Sequence, residues 1–464
     1  MSDRKVLVIG LDSAPPELVF EKYRDELPNI RRLMENGVYG RMQSCHPPIT
    51  VPAWMVMVTS KSPGRLGLYG FRHRKGFSYT DGWIANALSV KEEKIWSILS
   101  HAGKKVCIVG VPPSYPPSPL NGELVSCFIT PDSNREYTYP SELKKEIEDL
   151  VGPYPFDVEF RTDQRDELLK NLHDMTEKHF RIIEHLLATR QWDFFMFVEI
   201  GLDRIHHAFW KYSDKDHPKY VPGNPYENVV RDYYHRLDDH IGRILKMVPE
   251  NTVVLVVSDH GAKGMRGAFC VNEWLIREGY LVLKEKPEKV VEVEKAAVDW
   301  GRTKAWAWGG YYARFFFNVK DREHQGIIDS ADFERERNEL SRKLMEIRDP
   351  KGRLMETRVY RPEDLYPVSI GDRPDLMVYF DDLFWRSAGT LGHGELYLSE
   401  NDTGPDDAVH AQHGIFILND PRLKPTGQIP DVNILDIAPT LLQRMDMAVP
   451  ASMEGKTLQL DTAK

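Results

Sequence analysis

The stretch that most constrains the fold runs from Val253 to Gly261 and reads VVLVVSDHG. Its first five residues are apolar and do not alternate with polar ones, which is typical of a strand covered on both faces in a parallel α/β sheet. The apolar run stops at Ser258, and an acid and an imidazole, Asp259 and His260, follow it. Because open α/β sheets bind ligands at the carboxyl ends of their strands, this end is the first candidate for a functional site.

Two further apolar runs are followed by polar residues that can bind ligands. Lys5–Leu11 is followed by Asp12, and the run at 192–200 is followed by Asp203, His206 and His207. Helical patterns are found between and after these runs, at 94–102, 165–190, 224–247 and 434–445. Strands that alternate with helices in this way predict an α/β fold with a mostly parallel central sheet and helices on both of its faces.

Residues 267–370 interrupt this alternation, because aromatic and charged residues are mixed there without a clear period. The prominent aromatic residues of this stretch are Trp306, Trp308, Tyr311 and Tyr312. Strand character returns at 375–380 and again at 410–418. We therefore expect a catalytic core formed by residues 1–266 and 371–464, with residues 267–370 inserted as a lid or cap.

The overall charge of the chain argues against one class of function. The net charge is −9 and no long basic run is present, which argues against a protein that coats nucleic acid. The four cysteines are scattered without a CxxC pair, so neither a thiolate metal site nor a disulfide framework is predicted. We find no apolar signal region and no apolar run of about 20 residues, and we expect a soluble cytoplasmic protein that does not bind membranes.

One predicted helix start carries a hydroxyl of interest. Pro52 fits the first turn of a helix, where its missing N–H costs nothing, and this places Thr50 at or just before the helix N-terminus. The helix dipole and the free backbone N–H groups favour negative charge at such a position. Thr50 is therefore either a helix cap or a group that meets an anionic substrate.

Several polar residues follow predicted strands or lie at equivalent positions in the fold. They are Asp12, Thr50, Asp203, His207, Asp259, His260 and His410. Each residue alone has a structural explanation, as a cap or as a buried histidine. Carboxylates and imidazoles together suit Zn²⁺ or Mn²⁺, and this number of ligands suits a pair of metals. Two metals about 3.5–4 Å apart are a common clamp for phosphoryl transfer.

In this order the motifs resemble those of the alkaline phosphatase superfamily, and most closely its type I phosphodiesterase/nucleotide pyrophosphatase branch. The matching motifs are IGLDS at Asp12, ITVPAW at Thr50, Asp203-x3-His207, SDHG at Asp259, and His410 four residues before a Gly-Ile-Phe strand. The resemblance extends from Leu7 to about Met445 outside the lid. It implies an alkaline-phosphatase-like fold.

The resemblance also implies a role for each matched residue. One metal is expected on Asp12, Thr50, Asp259 and His260, and the other on Asp203, His207 and His410. Thr50 is expected to be the nucleophile, which attacks phosphorus with the help of the first metal and forms a phosphothreonine. The second metal is expected to stabilise the leaving oxygen and then to activate water. We expect two Zn²⁺ ions, with Mn²⁺ as the alternative, and we expect His206 and His413 not to bind metal.

The sequence departs from the patterns of related enzymes at two positions. Nucleotide-cleaving members carry an asparagine three residues after the nucleophile, whereas this chain has Ala53. The oxyanion is then expected to rely on the metals and on backbone N–H groups such as that of Val51. Sulfatases of the superfamily need a modifiable cysteine or serine followed by an arginine, whereas this chain has Thr50 and Trp54. The sequence therefore favours a phosphoesterase over a sulfatase.

We predict an enzyme that hydrolyses phosphodiester or pyrophosphate bonds of a small-molecule phosphate ester, and two alternatives are open. A phosphomutase, phosphotransferase or phosphomonoesterase, similar to cofactor-independent phosphoglycerate mutase, would need additional basic residues. The candidates for that role are Arg65, Arg72, Arg74, Lys263 and Arg266. A non-catalytic binding protein on the same fold would lack some metal ligands, whereas all of the expected ones are present. The expected substrate contacts are Val51, Trp54, Arg72, Lys263 and His413.

Overall fold

A ten-stranded sheet forms the centre of the structure, a computed structural model that describes residues 4–461. Across the sheet the strands lie in the order Gly427–Gln428, Val38–Gln43, His413–Asn419, Val253–Val257, Val6–Leu11, Phe194–Glu199, Val106–Val109, Gly122–Val125 and Thr138–Tyr139. Val432–Asn433 pairs with Val38–Gln43 as the tenth strand. His413–Asn419 and Thr138–Tyr139 run antiparallel to their neighbours, and the other pairs run parallel, so the sheet is mostly parallel as predicted.

The three middle strands bring their carboxyl ends to one edge of the sheet. Val6–Leu11 pairs in parallel with Val253–Val257 on one side and with Phe194–Glu199 on the other. Every residue of these three strands is buried. The register places Gly10 opposite Val257. The residues that follow these strands therefore leave the sheet at the same edge.

Helices cover both faces of the sheet, as predicted. One face packs against Pro28–Glu35, Glu142–Val151, Arg165–Thr189, Gly201–Ser213 and Val229–Met247, and the other against Thr50–Thr59, Ile95–His101 and Ile437–Arg444. Alternate side chains of the central strand enter the two apolar layers, Leu7 and Ile9 on the first face and Val6 and Val8 on the second. Within residues 4–461, no helix combines the length and the apolar character needed to cross a membrane.

Two helices differ from the sequence prediction. The helix expected at 224–247 begins at Val229, because the side chain of Asn224 accepts a hydrogen bond from the Tyr226 N–H, which favours a turn there. The helix expected at 434–445 divides into a 3₁₀ turn at Ile434–Asp436 and an α-helix at Ile437–Arg444.

The predicted insertion and some neighbouring segments form further, smaller sheets. Ala305–Trp308, Ala313–Phe317, Leu376–Tyr379 and Arg358–Tyr360 form an antiparallel sheet in this order. The helix Phe333–Met345 packs against this sheet through Leu340 and Leu344. Gly267–Cys270 pairs with Trp385–Ala388 and Tyr397–Leu398, Val291–Glu292 pairs with Thr390–Leu391, and Arg72–Arg74 pairs with Gly82–Ile84.

The strand Leu376–Tyr379 pairs with strands of the predicted insertion. The sequence assigns 371–464 to the catalytic core, but this strand pairs with Ala313–Phe317 and Arg358–Tyr360, and its inward side chains join the apolar cluster of the insertion. An apolar run predicts a strand but does not identify its partners. We therefore propose an insertion that extends beyond residue 370.

The single strand expected at 410–418 is two strands in the structure. Ala408–Ala411 pairs with Gly261–Gly264 in a separate antiparallel ribbon, and His413–Asn419 enters the central sheet. Gly261 allows the chains to approach closely here, since a Cβ atom on it would lie 2.2 Å from the carbonyl oxygen of His413. The change of sheet leaves His410 on the ribbon and His413 in the central sheet.

Candidate metal centre

The polar residues singled out in the sequence meet beyond the carboxyl ends of the middle strands. Asp12 directly follows a strand, and Asp259 and His260 follow another strand after Ser258. Thr50 begins the helix Thr50–Thr59, Asp203 and His207 lie on the helix Gly201–Ser213, and His410 lies on the ribbon. All of them are buried. The central sheet places the first three at one edge, and two helices and the ribbon bring the others to it.

The first group of potential ligands surrounds His260. Ligand atoms of Asp12, Asp259 and His260 all lie within 4.8 Å of one another. His260 Nε2 is 3.8 Å from Asp12 Oδ1 and 3.2 Å from Asp259 Oδ2. The hydroxyl oxygen of Thr50 lies 3.3 Å from the same imidazole nitrogen. This group contains the residues expected around the first metal.

The second group shares His260 with the first. Asp203, His260 and His410 carry ligand atoms within 4.8 Å of one another. His410 Nε2 is 3.8 Å and His207 Nε2 is 3.3 Å from Asp203 Oδ1. The rings of His260 and His410 are stacked with centroids 3.8 Å apart. The two groups are therefore adjacent, and His207 joins the second group through Asp203.

The inner atoms of these residues have no hydrogen-bond partner. Among the described residues, the buried atoms in this state include Asp12 Oδ1, Asp203 Oδ1, Asp259 Oδ2 and His410 Nε2. Buried polar atoms in proteins nearly always have a partner. Carboxylate and imidazole lone pairs that point at one another fit bound cations, and this mixture of oxygen and nitrogen ligands fits Zn²⁺ or Mn²⁺.

The opposite atoms of the same carboxylates are held by donors. Trp54 Nε1 donates to Asp12 Oδ2 at 2.7 Å, and the Ser13 N–H donates to Asp259 Oδ1 at 3.2 Å. A third donor, the guanidinium of Arg204, bonds to Asp203 Oδ2. Such outer contacts orient the free oxygen of a metal ligand before the metal binds.

The two central histidines are held in a ligand-competent state. His410 Nδ1 donates to the carbonyl of Pro48 at 2.8 Å, and His260 Nδ1 donates to the carbonyl of Gly261 at 3.0 Å. Burial lowers the pKa of His260 to about 4 and holds that of His410 well below its usual value. Both imidazoles are therefore neutral near pH 7, with the lone pair of Nε2 available for a ligand.

The carboxylates of the site need nearby positive charge. Burial and the negative charge of Asp203 raise the pKa of Asp12 well above its usual value, and burial and Asp12 do the same to the pKa of Asp259. Burial also acts to raise the pKa of Asp203, but His207 and Arg204 outweigh it and hold this pKa well below the usual range. A dication between these groups would favour the charged form of all three carboxylates.

The side chains of the neighbouring residues His206 and His207 contact different residues. His207 Nδ1 lies 2.7 Å from Asp406 Oδ1, while its Nε2 is near Asp203. His206 instead contacts the hydroxyl of Tyr234 at 3.2 Å, and burial lowers its pKa to about 3. The helical spacing of four residues thus places Asp203 and His207 together, as expected.

A cavity of about 520 Å³ opens next to the second group. Tyr311, at the tip of an inserted hairpin, lines it and places its hydroxyl 3.1 Å from His207 Nε2. Arg386 lines the same cavity, lies 4.2 Å from the Tyr311 ring and pairs with Asp406 at 2.7 Å. The sequence marked Tyr311 as one of several aromatic residues, but Asp406 and Arg386 carry no local signal. The adjacent pair Asp203-Arg204 is a local sequence signal for the contact between these two side chains.

The residues expected to contact substrate are dispersed. Arg72 lines the cavity, and Val51 is buried directly after Thr50. Trp54 is fully buried, and its indole donates to Asp12, so this residue supports that carboxylate. Lys263 and His413 line a different cavity of about 550 Å³. A substrate contact by these two residues therefore stays a prediction.

The basic residues considered for a phosphomutase all have carboxylate partners. The pairs are Arg65 with Glu454, Arg72 with Glu294, Arg74 with Glu323, Lys263 with Asp382 and Arg266 with Asp381. Four of these basic residues do not line the cavity at the metal centre. They therefore do not form a basic cluster for a charged monoester.

Known proteins resemble this chain in sequence pattern and in fold. The family model for type I phosphodiesterase / nucleotide pyrophosphatase matches residues 6–406. Murine ectonucleotide pyrophosphatase / phosphodiesterase 5, solved as an inactive variant in complex with AMP, is similar in fold, with a TM-score of 0.57, 15% identity and 96% of each chain covered. The human protein of the same name has a TM-score of 0.58 and 12% identity, over 98% of this chain and 97% of that one. No curated protein sequence matches the chain.

Proposed function

Since the chain belongs to the type I phosphodiesterase/nucleotide pyrophosphatase family, we propose that it is a two-metal hydrolase that cleaves phosphodiester or pyrophosphate bonds through a phosphothreonine on Thr50. The observation that carries this proposal is the set of inward-facing ligand atoms without partners, on Asp12, Asp203, Asp259 and His410. A binding protein on the same fold would have no need to keep such atoms free of hydrogen bonds in its interior.

We assign the ligands to two adjacent positions. Asp12, Asp259, His260 and Thr50 would hold one ion, and Asp203, His207 and His410 would hold the other. When bound, the two ions would supply positive charge that stabilises the alkoxide of the nucleophile, the transferring phosphoryl group and the leaving oxygen. We propose Zn²⁺, with Mn²⁺ as the alternative, because half of the non-hydroxyl ligands are imidazoles.

The surroundings of Thr50 support its proposed role as the nucleophile. Its hydroxyl oxygen lies 3.3 Å from His260 Nε2, and it begins the helix Thr50–Thr59. The first N–H groups of a helix have no partner inside it, so the N–H of Val51 can bind an oxygen of the transferring group. Attack of the Thr50 oxygen on phosphorus would form the phosphothreonine and release the leaving group, and water would then cleave the phosphothreonine to regenerate the hydroxyl.

The side of the site at His207 opens into the cavity, which can hold the organic part of the substrate. Tyr311 holds its hydroxyl beside His207 at the mouth of the cavity, where it can donate to an oxygen of the substrate. Asp406 accepts from the other nitrogen of His207, which fixes the ring with Nε2 toward Asp203. The AMP in the murine structure is a property of that protein, and it supports nucleotide esters as the first substrates to test.

The substrate class is tested with two synthetic esters. The protein is assayed with bis-p-nitrophenyl phosphate and with p-nitrophenyl phosphate, each with added Zn²⁺ or Mn²⁺. We expect faster turnover of the diester, and loss of activity after chelation and dialysis with recovery on metal addition. Preference for the monoester, or full activity in the chelated protein, would contradict the proposal.

The nucleophile is tested with two threonines of one helix. Thr50→Ala should lower turnover by orders of magnitude while the metal content is retained, because the other ligands remain. Thr59→Ala is the matched control, since the Thr59 hydroxyl donates to the Met55 carbonyl within the same helix, at 2.6 Å. The phosphothreonine should be detectable at residue 50 by mass spectrometry after rapid acid quenching. Equal turnover of the two variants would rule out Thr50 as the nucleophile.

The role of His410 is tested against its neighbour in sequence. His410→Ala should lose metal, whereas His413→Ala should keep it, because His413 lies in the central sheet, with Asp431 3.7 Å away. Metal content by mass spectrometry decides between them.

We also propose a cytoplasmic location, which is supported by four buried cysteines that form no disulfide.

A further inference from the structure

Arg314 is a buried arginine without a carboxylate partner. It lies on the inserted strand Ala313–Phe317, and 9% of it is exposed. Its guanidinium donates to the carbonyl of Arg72, while its Nε has no hydrogen-bond partner. Among residues 4–461 no carboxylate lies within ion-pair distance of it, and Glu294, which attracts it from farther away, pairs with Arg72 at 2.8 Å.

An unpaired buried charge is unfavourable for the protein on its own. A charge that leaves water loses solvation, which an opposite charge or hydrogen bonds must replace. Burial lowers the pKa of Arg314 accordingly, but a guanidinium remains protonated in proteins. The wall of the cavity thus keeps a positive charge that a bound anion would neutralise.

The position of Arg314 connects it with the metal centre. Arg314 lines the cavity of about 520 Å³, together with Ile49, which precedes Thr50, and Tyr311, whose hydroxyl is beside His207. Pockets of this volume hold organic ligands. A substrate whose phosphorus lies at Thr50 would extend the rest of its molecule along this cavity toward Arg314.

Each of the other arginines of the cavity has a carboxylate within ion-pair distance, although Arg161 and Arg386 share one. The pairs are Arg72 with Glu294, Arg204 with Asp157 and Asp203, and Arg161 and Arg386 with Asp406. Two further carboxylates line the cavity: Glu292 pairs with Lys295 at 2.7 Å, and Asp402 accepts a hydrogen bond from Thr390 at 2.7 Å. Among the described arginines of this wall, Arg314 is therefore the one without a carboxylate within ion-pair distance.

An aromatic ring lies next to this charge. The guanidinium groups of Arg72 and Arg314 lie 4.7 Å and 5.3 Å from the ring centroid of Trp308, which also lines the cavity. The stacking holds the two planar guanidinium groups in place. Such groups match the oxygens of phosphate and carboxylate through paired hydrogen bonds.

We propose that Arg314 binds an oxyanion on the organic part of the substrate, so that the protein prefers diesters that carry a second phosphate or carboxylate away from the reacting phosphorus. This inference rests on the proposed function, because it assumes that the reacting phosphorus lies at Thr50. It adds to that function a class of substrate and the residue that selects it.

The test uses two esters that differ by one phosphate. Thymidine 5′-(p-nitrophenyl phosphate) and its 3′-phosphorylated form are compared with the metal-loaded protein. We expect kcat/KM to be about tenfold or more higher for the 3′-phosphorylated ester, because one hydrogen bond to a charged group contributes a factor of this size. Arg314→Gln should reduce this preference to about twofold or less, and Arg314→Lys should retain part of it. Arg335→Gln is the matched control, because it removes the same charge from an exposed helix of the insertion.

Binding provides a second readout that does not need turnover. In Thr50→Ala protein, calorimetry should show the same preference for the 3′-phosphorylated ester, and the added Arg314→Gln change should remove it. If neither ester is hydrolysed but this preference in binding is found, the proposed function fails and the anion site stands. Equal affinity of the two esters for the protein with Arg314 intact, or an unchanged preference in the Arg314→Gln protein, would overturn the inference.

Stability separates a binding role from a structural one. Arg314→Met keeps an apolar stem and removes the unmatched charge, so it should unfold at the same temperature as the wild type or higher, and lose the preference for the phosphorylated ester. A marked loss of stability together with an unchanged preference would show that Arg314 supports the insertion instead of binding an anion.

Discussion

Replacement of Trp54 by phenylalanine tests how the metal centre is organised. Trp54 is fully buried in the helix Thr50–Thr59, and its Nε1 donates to Asp12 Oδ2 at 2.7 Å. The other oxygen of Asp12 is one of the free ligand atoms. Trp54→Phe keeps an aromatic ring in the helix but removes the donor that orients this carboxylate.

The magnitude follows from the lost bond and the lost volume. A hydrogen bond to a charged group contributes about 1.5–3 kcal/mol, and a phenyl ring leaves empty space where the indole packs against Gly10. The free energy of unfolding of the metal-free protein should therefore fall by about 2–4 kcal/mol. Loss of an outer partner of a ligand typically weakens metal binding by about 10–100-fold, so we expect a change of this size.

The assay is a competition for metal with a chromophoric chelator, together with urea unfolding of the metal-free protein. Trp96→Phe is the matched control, since Trp96 is buried in the same apolar cluster, and among the hydrogen bonds of residues 4–461 none joins it to a candidate ligand. The control should lose stability but keep wild-type metal affinity. If Trp54→Phe also keeps wild-type affinity, the bond to Asp12 does not organise the site and the reasoning is refuted.

Three further predictions concern other parts of the molecule. His207→Ala should lower metal content and reduce turnover by orders of magnitude, whereas His206→Ala should keep its metals. Metal content is measured by mass spectrometry, and loss of metal from the His206 variant alone would make His206 the ligand instead of His207. Tyr311→Phe should lower kcat/KM by about tenfold with unchanged metal content, and an unchanged kcat/KM would exclude a substrate contact by its hydroxyl. Burial acts to lower the pKa of His179, but the buried carboxylate of Glu199, 3.1 Å away, outweighs it and raises this pKa. The stabilisation is therefore complete below about pH 6 and is lost as pH rises through the raised pKa, so urea unfolding should show a smaller difference between wild type and His179→Gln at high pH than at low pH.

Local patterns in the sequence were sufficient for the core of the fold. Strands buried on both faces must be apolar throughout, so Val6–Leu11 and Val253–Val257 could be recognised without knowing their neighbours. The same patterns placed Asp12 and Asp259 at the ends of parallel strands. Thr50 could be placed at a helix start because Pro52 is tolerated there.

Local patterns were insufficient where one element could pair with several others. The apolar stretch at 375–380 was recognised as a strand, but its partners in the insertion depend on packing with residues far away in sequence. The stretch at 410–418 changes from a ribbon to the central sheet within a few residues. Nothing in its composition marks that change, because both parts are buried.

The sequence by itself thus determined which residue types stand at the ends of the buried strands, since backbone geometry and burial act over a few residues. Only the tertiary structure decided what surrounds them. Asp406 reaches His207 across 199 positions of the chain, the indole of Trp54 turns to Asp12, and Arg314 is left without a carboxylate in the cavity wall. Electrostatic and hydrogen-bond contacts depend on distance in space, and the packing of elements far apart in the sequence sets those distances.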